Sequence, residues 1–305
     1  MKVAVTGSSG LIGSALVASL RADGNQVVRI ARPSSRSRSS PDDGQTVRWD
    51  VDAGAIELAG LEGLDGVVHL AGEGIGDKRW TDEQKARILE SRTKGTALLA
   101  GALAGLSAKP PVLVSGSAIG YYGDRGDEEL TESSGPQPGN FLSDVCVAWE
   151  AATAAAADAG IRVAHIRTGL VLAAGGGALG KTLPLFRFGL GGKIGSGQQW
   201  WSWISRTDEV DAIRFLLDHD VAGPVNLTGP APVTNATYTK AVGQVLHRPT
   251  FLSVPRFGPK VLLGAELAEQ LLFTSARVVP AVLQGAGFPF THTDVSAALR
   301  AELDK

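Results

Sequence analysis

The sequence predicts an α/β protein built on a doubly wound parallel sheet, and three observations lead there. From residue 2 onward, short β-branched runs alternate with longer stretches of helical spacing, the rhythm of βαβ units that cover a parallel sheet on both faces. The strand-like runs are apolar and bounded by Gly, Pro or Asp, as strands buried on both faces are. A glycine-rich turn joins the first such run to the first helical stretch.

Taken in order, strands are expected over 2–6, 26–31, 46–49, 66–70, 112–115 and 162–167, with helices over 11–22, 81–105 and 142–159 between them. Asp82, two residues after Trp80, marks a start for the second helix. After Arg167 the texture changes to a glycine-rich stretch over 175–197, then Trp200, Trp201 and Trp203, then a helix over 208–218 and a strand over 225–228. The last segment reads as several helices punctuated by Pro249, Pro255, Pro259, Pro280 and Pro289. At roughly 150 residues per domain, the 305 residues divide into two regions. A sheet domain is expected over 1–168, with 207–228 packing back onto it. A smaller, mostly helical substrate region follows over 169–206 and 229–305, with a cleft between the two.

Composition excludes several classes of function. A net charge of -2 gives no global field to draw in nucleic acid or an anionic membrane, so neither is an expected partner. A single cysteine, Cys146, forbids an internal disulfide, and five scattered histidines show no metal-ligand spacing, so no metal is expected. No apolar run approaches the ~18 residues of a spanning helix, and the first residues lack the marks of a signal peptide. The expected compartment is the cytoplasm.

The strongest motif is Thr6-Gly7-Ser8-Ser9-Gly10-Leu11-Ile12-Gly13, set between the first strand and the first helix. That context makes it the fingerprint of a Rossmann dinucleotide-binding unit. Gly7 permits the tight turn, Gly10 lets backbone approach a pyrophosphate, and Gly13 lets the helix pack close to the sheet. Thr6, Ser9, Leu11 and Ile12 complete the expected contact set, and the helix N-terminus offers N–H groups to the phosphates. An acidic residue after the second strand would bind a ribose 2′-hydroxyl, but no Asp or Glu occurs between Asp23 and Asp42. Arg32, Ser34 and Arg36 stand there instead, suited to a 2′-phosphate, so NADP(H) is the expected cofactor.

Asp50, after the third strand, is a candidate for adenine contact or an exposed loop aspartate. Leu70, Ala71, Gly72 and Glu73 close the fourth strand at the carboxyl edge of the sheet, where open α/β sheets bind ligands. Arg79, Ser115 and Arg167 are further cofactor candidates; for Arg167 a buried ion pair is the rival account. Glu73, with Lys78 and Arg79, forms a charged group near the expected nicotinamide position. Trp200, Trp201 and Trp203 are either an aromatic wall over the cleft or packing between the regions. Asp208 suits the N-cap of its helix.

The segments TGSSGLIG, HLAGEGIGDKRW, SGSAIGYYG, IRTGLVL, WSWISRTDEV and HRPTFLSVP resemble an atypical extended short-chain dehydrogenase/reductase. More narrowly, the chain is similar over essentially its whole length to the YfcH-like epimerase group, NAD-dependent epimerases or dehydratases with an uncharacterised C-terminal domain. The resemblance implies reversible hydride chemistry on a small polar, sugar-like metabolite and a homodimer. It also implies a catalytic Ser, here Ser117, and a Tyr-x-x-x-Lys pair in which lysine lowers the tyrosine pKa. Leu142 and Cys146 occupy the Tyr and Lys positions when Glu150 is set against the glutamate that follows the motif. Replacement acid/base candidates are Tyr121 and Tyr122, in the turn after Ser117, and Glu73 or Lys78. Either tyrosine could face a substrate or pack its ring under the loop. Two readings stay open: an NADP(H)-dependent oxidoreductase or epimerase, and an NADPH-binding sensor that has lost the proton shuttle.

Overall fold

The computed structural model describes residues 1–32 and 45–304. Ser34 and Arg36, expected at the 2′-phosphate, lie outside the described residues. The first half of the chain runs β1 (Lys2–Thr6), α1 (Leu11–Ala22), β2 (Gln26–Ala31), β3 (Thr46–Asp50), β4 (Ala55–Ile56), β5 (Gly66–His69), α2 (Asp82–Ala104), β6 (Val112–Ala118), β7 (Glu129–Leu130), α3 (Phe141–Ala151), α4 (Ala154–Asp158) and β8 (Arg162–Thr168). It continues through β9 (Leu170–Leu172), α5 (Gly177–Arg187), β10 (Gly192–Ile194), β11 (Trp200–Trp201), β12 (Trp203–Ser205), α6 (Arg206–Asp218) and β13 (Gly223–Leu227). The remaining elements are β14 (Val233–Thr234), α7 (Asn235–Leu246), β15 (Leu252–Val254), α8 (Phe257–Leu263), α9 (Ala265–Ala268), β16 (Arg277–Val278), α10 (Ala281–Gly285) and α11 (Val295–Leu303).

The main sheet has the order β13-β8-β6-β5-β1-β2-β3-β4 and is parallel except where β4 returns against β3. Its strands alternate between two cores, as the two-residue period of a strand requires. Val3, Val5, Val68, Val114 and Ile166 face one cluster with Leu16 of α1 and Ile213 of α6. Ala4, Val67, Leu113 and Val163 face the other with Leu99 and Leu103 of α2. This is the doubly wound arrangement that the apolar runs predict. The chain winds outward from β1 to β3, then crosses to β5 and winds the other way, so the strand order reverses between β1 and β5. The loops after both strands meet at that switch point, where open α/β sheets hold ligands.

Two expectations about the elements need correction, and the open choice for the three tryptophans is decided. The helix expected over 142–159 is two helices, because the Thr153 hydroxyl bonds back to the Glu150 carbonyl at 2.8 Å and to His165 Nε2 at 2.9 Å, competing with the helical ladder. Asp208 is not the cap of α6: the Ser205 side chain accepts from the Asp208 N–H. The Asp208 carboxylate instead accepts from Thr291 N and His292 N, tying the C-terminal segment to α6. Trp203 is fully buried, its indole N–H donating to Ala231 O. Trp201 lies against Tyr238, and Trp200 donates to Asp127 beneath Arg277. The three tryptophans are therefore committed to protein packing.

Candidate functional site

The glycines of the first loop meet the demands placed on them. Gly7 has φ +64°, and a Cβ there would lie 2.9 Å from the Leu70 carbonyl carbon. A Cβ at Gly13 would lie 2.2 Å from the Gly7 oxygen, and at Gly10 3.2 Å from the same atom. Gly10 begins α1 with no side-chain cap, and no acidic residue stands in the first turn. The helix thus presents N–H groups and the positive end of its dipole with no carboxylate to compete for them. Ser9 and Gly10 are exposed, Leu11 and Ile12 half-buried and Gly13 buried; Gly72 and Arg32 are exposed on neighbouring loops.

Thr6 has an internal role. It is fully buried and its hydroxyl accepts from Leu70 N (3.0 Å) and Ala71 N (3.1 Å), so its own hydrogen goes to His69 Nδ1 at 2.8 Å. The His69 ring then carries its proton on Nε2, directed at Thr96 Oγ1 2.9 Å away. This chain fixes the loop of Leu70 and Ala71 beside the glycine turn. Ser115 is likewise fully buried. Asp50 Oδ1 accepts from Asp52 N and Ala53 N and so shapes its own turn. Arg79 donates to the carbonyls of Val261 and Leu262, fastening α8 to the loop after β5.

A second group forms at the ends of β6 and β8. These strands pair in register, Ser117 opposite Arg167. The Ser117 hydroxyl donates to Glu150 Oε1 at 2.6 Å, and Arg167 grips both oxygens of Glu150 at 2.8 and 2.9 Å. A further N–H of Arg167 reaches the Tyr122 hydroxyl at 3.0 Å, which in turn donates to Asn226 at 2.7 Å. Arg167 is therefore half of a buried, bidentate ion pair, not a free cation for phosphate. Tyr122 is fully buried, and burial pushes its hydroxyl up to about 12. Tyr121 differs: half-buried, it lays its ring 3.4 Å from the Arg167 guanidinium carbon, and among the described residues nothing bonds its hydroxyl.

Sequence reading used Glu150 only to align the helix and assigned no role to Asn226 or Arg92. For Glu150 the signal was present. Leu142, Cys146 and Glu150 recur every fourth residue, so one face of α3 lies along the end of β6. Leu142 packs where a Gly120 side chain would be, and the Cys146 thiol lies 3.6 Å from Ala118 O. Burial pushes that thiol up to about 11, so at neutral pH it stays protonated.

Glu73 sits at the mouth. Its backbone is pinned by Ser91 and Arg92 of α2, and its carboxylate lies 3.7 Å from Lys78 and 3.4 Å from Gln84. Arg92, stacked on Trp149, joins this corner to the α3 face. Lys181 of α5 reaches across to Asp77 and Gly76 O.

Two buried groups set opposing pH limits. Burial lowers His69 from 6.5 to about 4, so its contribution is complete above 6.5 and is lost progressively as pH falls toward 4. Burial raises Glu209 from 4.5 to about 8, with one hydroxyl bond from Thr168 opposing it. The stability linked to Glu209 is complete below 4.5 and is lost as pH rises through 8. Urea midpoints from about pH 4 to about pH 9 should show both limbs, with His69→Gln flattening the acid one and Glu209→Gln the alkaline one.

A doubly wound sheet with an uncapped glycine loop at its switch point, and a serine at the end of β6, defines the class of Rossmann-type short-chain dehydrogenase/reductase proteins. The chain belongs to the NAD dependent epimerase/dehydratase family, whose model matches residues 3–228; residues 254–302 match a domain of unknown function, DUF1731. Epimerase family protein ML0860 of Mycobacterium leprae is 42% identical over 298 residues, 97% of this chain and 94% of that one. The chloroplastic SDR39U1 homolog of Arabidopsis thaliana is 38% identical over 99% of this chain and 86% of its own. Among solved structures, human epimerase family protein SDR39U1 (isoform 2), crystallised with NADPH, superposes with a TM-score of 0.90 at 32% identity over all of both chains. The nucleoside-diphosphate sugar epimerase of Corynebacterium glutamicum gives 0.78 at 39% identity, over 99% of this chain and 58% of that one.

Proposed function

We propose that this chain binds NADP(H) and acts as an oxidoreductase or epimerase on a small polar, sugar-like metabolite. The observation that carries the reading is the tight turn of Gly7, Gly10 and Gly13 under an uncapped helix N-terminus, where a side chain at any of the three would press on the backbone of the turn or of the loop after β5. Arg32, exposed just beyond β2 in place of an acid, supports a 2′-phosphate. The NADPH of the human relative and the sugar nucleotide named for the Corynebacterium protein support the cofactor and the substrate class. The nicotinamide supplies hydride transfer when bound.

The chain's own residues then hold the substrate oxygen and move its proton. Ser117, fixed by Glu150, presents its oxygen at the end of β6. Tyr121, with its hydroxyl unengaged and a guanidinium against its ring, is the better placed tyrosine for the proton; the Glu73 carboxylate at the mouth is the alternative carrier. Tyr121→Phe should lower turnover by about 10²–10⁴-fold with NADPH affinity unchanged. Tyr122→Phe should instead cost stability, about 1–2 kcal/mol, through the lost bonds to Asn226 and Arg167.

A second reading is favoured by one specific observation. With Leu142 in the tyrosine position and a protonated Cys146 in the lysine position, the usual proton shuttle is absent, as in a protein that senses NADPH without turning it over. Mass spectrometry of a metabolite extract incubated with NADPH or NADP+ separates the two. A compound altered by the intact chain but not by Gly10→Trp supports the enzyme. No altered compound, with NADPH binding demonstrated, supports the sensor.

A further inference from the structure

Eight of the eleven large apolar side chains exposed among the described residues fall in two stretches, 185–190 and 251–262. Phe188 and Phe251 are the most open, 81% and 83% exposed. The stretches adjoin: Arg248 Nε donates to Arg187 O at 2.8 Å, a Cβ at Gly189 would touch Pro249 at 3.6 Å, and β10 pairs with β15. Beyond β15, α8 carries Phe257, Val261 and Leu262, all exposed.

The charge on this face is one-sided. The net charge of -2 conceals it, because the chain has no Asp or Glu between Asp158 and Asp208, nor between Asp220 and Glu266. Of the cations in those acid-free stretches, Arg162, Arg167, Lys181, Arg206, Arg256 and Lys260 are paired with carboxylates from elsewhere. Arg187, Lys193, Lys240 and Arg248 make no ion pair with a described residue. Lys193 and Lys240 line a cavity of about 360 Å³ with Thr239, Thr250, Phe251 and Leu252.

We propose that this face docks the protein on an anionic lipid bilayer, with Phe188 and Phe251 entering the interface and the unpaired cations meeting lipid phosphates. Aromatic side chains beside cations form the combination that holds a protein at a charged interface. A second copy of the chain is a poor occupant, since two such faces would set the unpaired Arg187, Lys193, Lys240 and Arg248 against one another. A peptide groove would wall its aromatic residues on both sides, whereas these two stand free. Among the described residues no helix is long and apolar enough to cross a membrane, so the contact is peripheral. The proposal does not depend on the NADP(H) reading.

The test is co-sedimentation of the full chain with vesicles of phosphatidylcholine alone and of phosphatidylcholine with an equal part of phosphatidylglycerol. Binding to the anionic vesicles alone is expected, weakening as salt rises. Each cation near the surface contributes about fivefold, so Lys193→Gln with Lys240→Gln should lower partitioning about 25-fold. Phe188→Ser with Phe251→Ser should lower it by more than about tenfold, with the thermal melt and NADPH affinity unchanged. Equal binding to both vesicles, no binding to either, or a dimer that the phenylalanine substitutions dissolve would overturn the proposal. If a variant fails to fold, the salt and lipid dependence of the intact chain decides alone.

Discussion

Replacing Arg167 with alanine is expected to destabilise the protein by about 3–5 kcal/mol, the cost of leaving one partner of a buried ion pair uncompensated. Arg167 is 3% exposed and grips both oxygens of Glu150, whose side chain is 12% exposed. The substitution also removes the cation from the Tyr121 ring and a donor from the Tyr122 hydroxyl. Arg167→Lys should recover only part of the loss, because an ammonium cannot reproduce the planar fork. Without the guanidinium the Glu150 carboxylate is left as an uncompensated buried charge. Arg167→Ala with Glu150→Gln should therefore be more stable than Arg167→Ala alone, since the orphaned charge is gone, and urea unfolding of the single and double variants checks this.

The second large effect is expected at Gly13. A methyl group there would sit 2.2 Å from the backbone oxygen of Gly7, which cannot swing aside as the end of a flexible side chain does. Either α1 moves away from the sheet or the glycine turn opens. Overpacking of this kind costs about 1–3 kcal/mol. Because the strain falls on the loop that would hold the pyrophosphate, NADPH affinity should drop by about 10–100-fold in Gly13→Ala. Calorimetric titration beside a thermal melt reads both. Gly24→Ala is the control: its φ of +76° strains an alanine, yet a Cβ there meets nothing within 4 Å, so it should cost stability without touching NADPH affinity.

The parts of the fold that were legible in the sequence are those set by local pattern. The apolar runs of the main sheet and the turn from Thr6 to Gly13 carry their meaning in residue type and spacing, and the structure builds the doubly wound sheet they predict. What escaped was decided by partners distant in the chain. Thr6 reads as a cofactor contact until His69, Leu70 and Ala71 are seen to take up its hydroxyl. Arg167 reads as a cofactor cation or as half of a buried ion pair until Glu150 closes on it. Tyr121 and Tyr122 are adjacent and identical in sequence, and only Asn226, 104 residues beyond Tyr122, separates their roles by accepting the second hydroxyl. The break at Thr153 and the capping of α6 by Ser205 were local, but both depend on where one hydroxyl points. Net charge is limited for a different reason: a sum near zero says nothing about its distribution over the surface.

The central claim, a dinucleotide site that selects the 2′-phosphate, is tested most directly by titrating the intact chain and Arg32→Ala with NADPH and NADH. The account predicts NADPH tighter by about 10–100-fold, the worth of charge-assisted hydrogen bonds to one phosphate, and a preference that narrows in Arg32→Ala. Equal affinity for the two dinucleotides in the intact chain, or a preference that Arg32→Ala leaves unchanged, would contradict it.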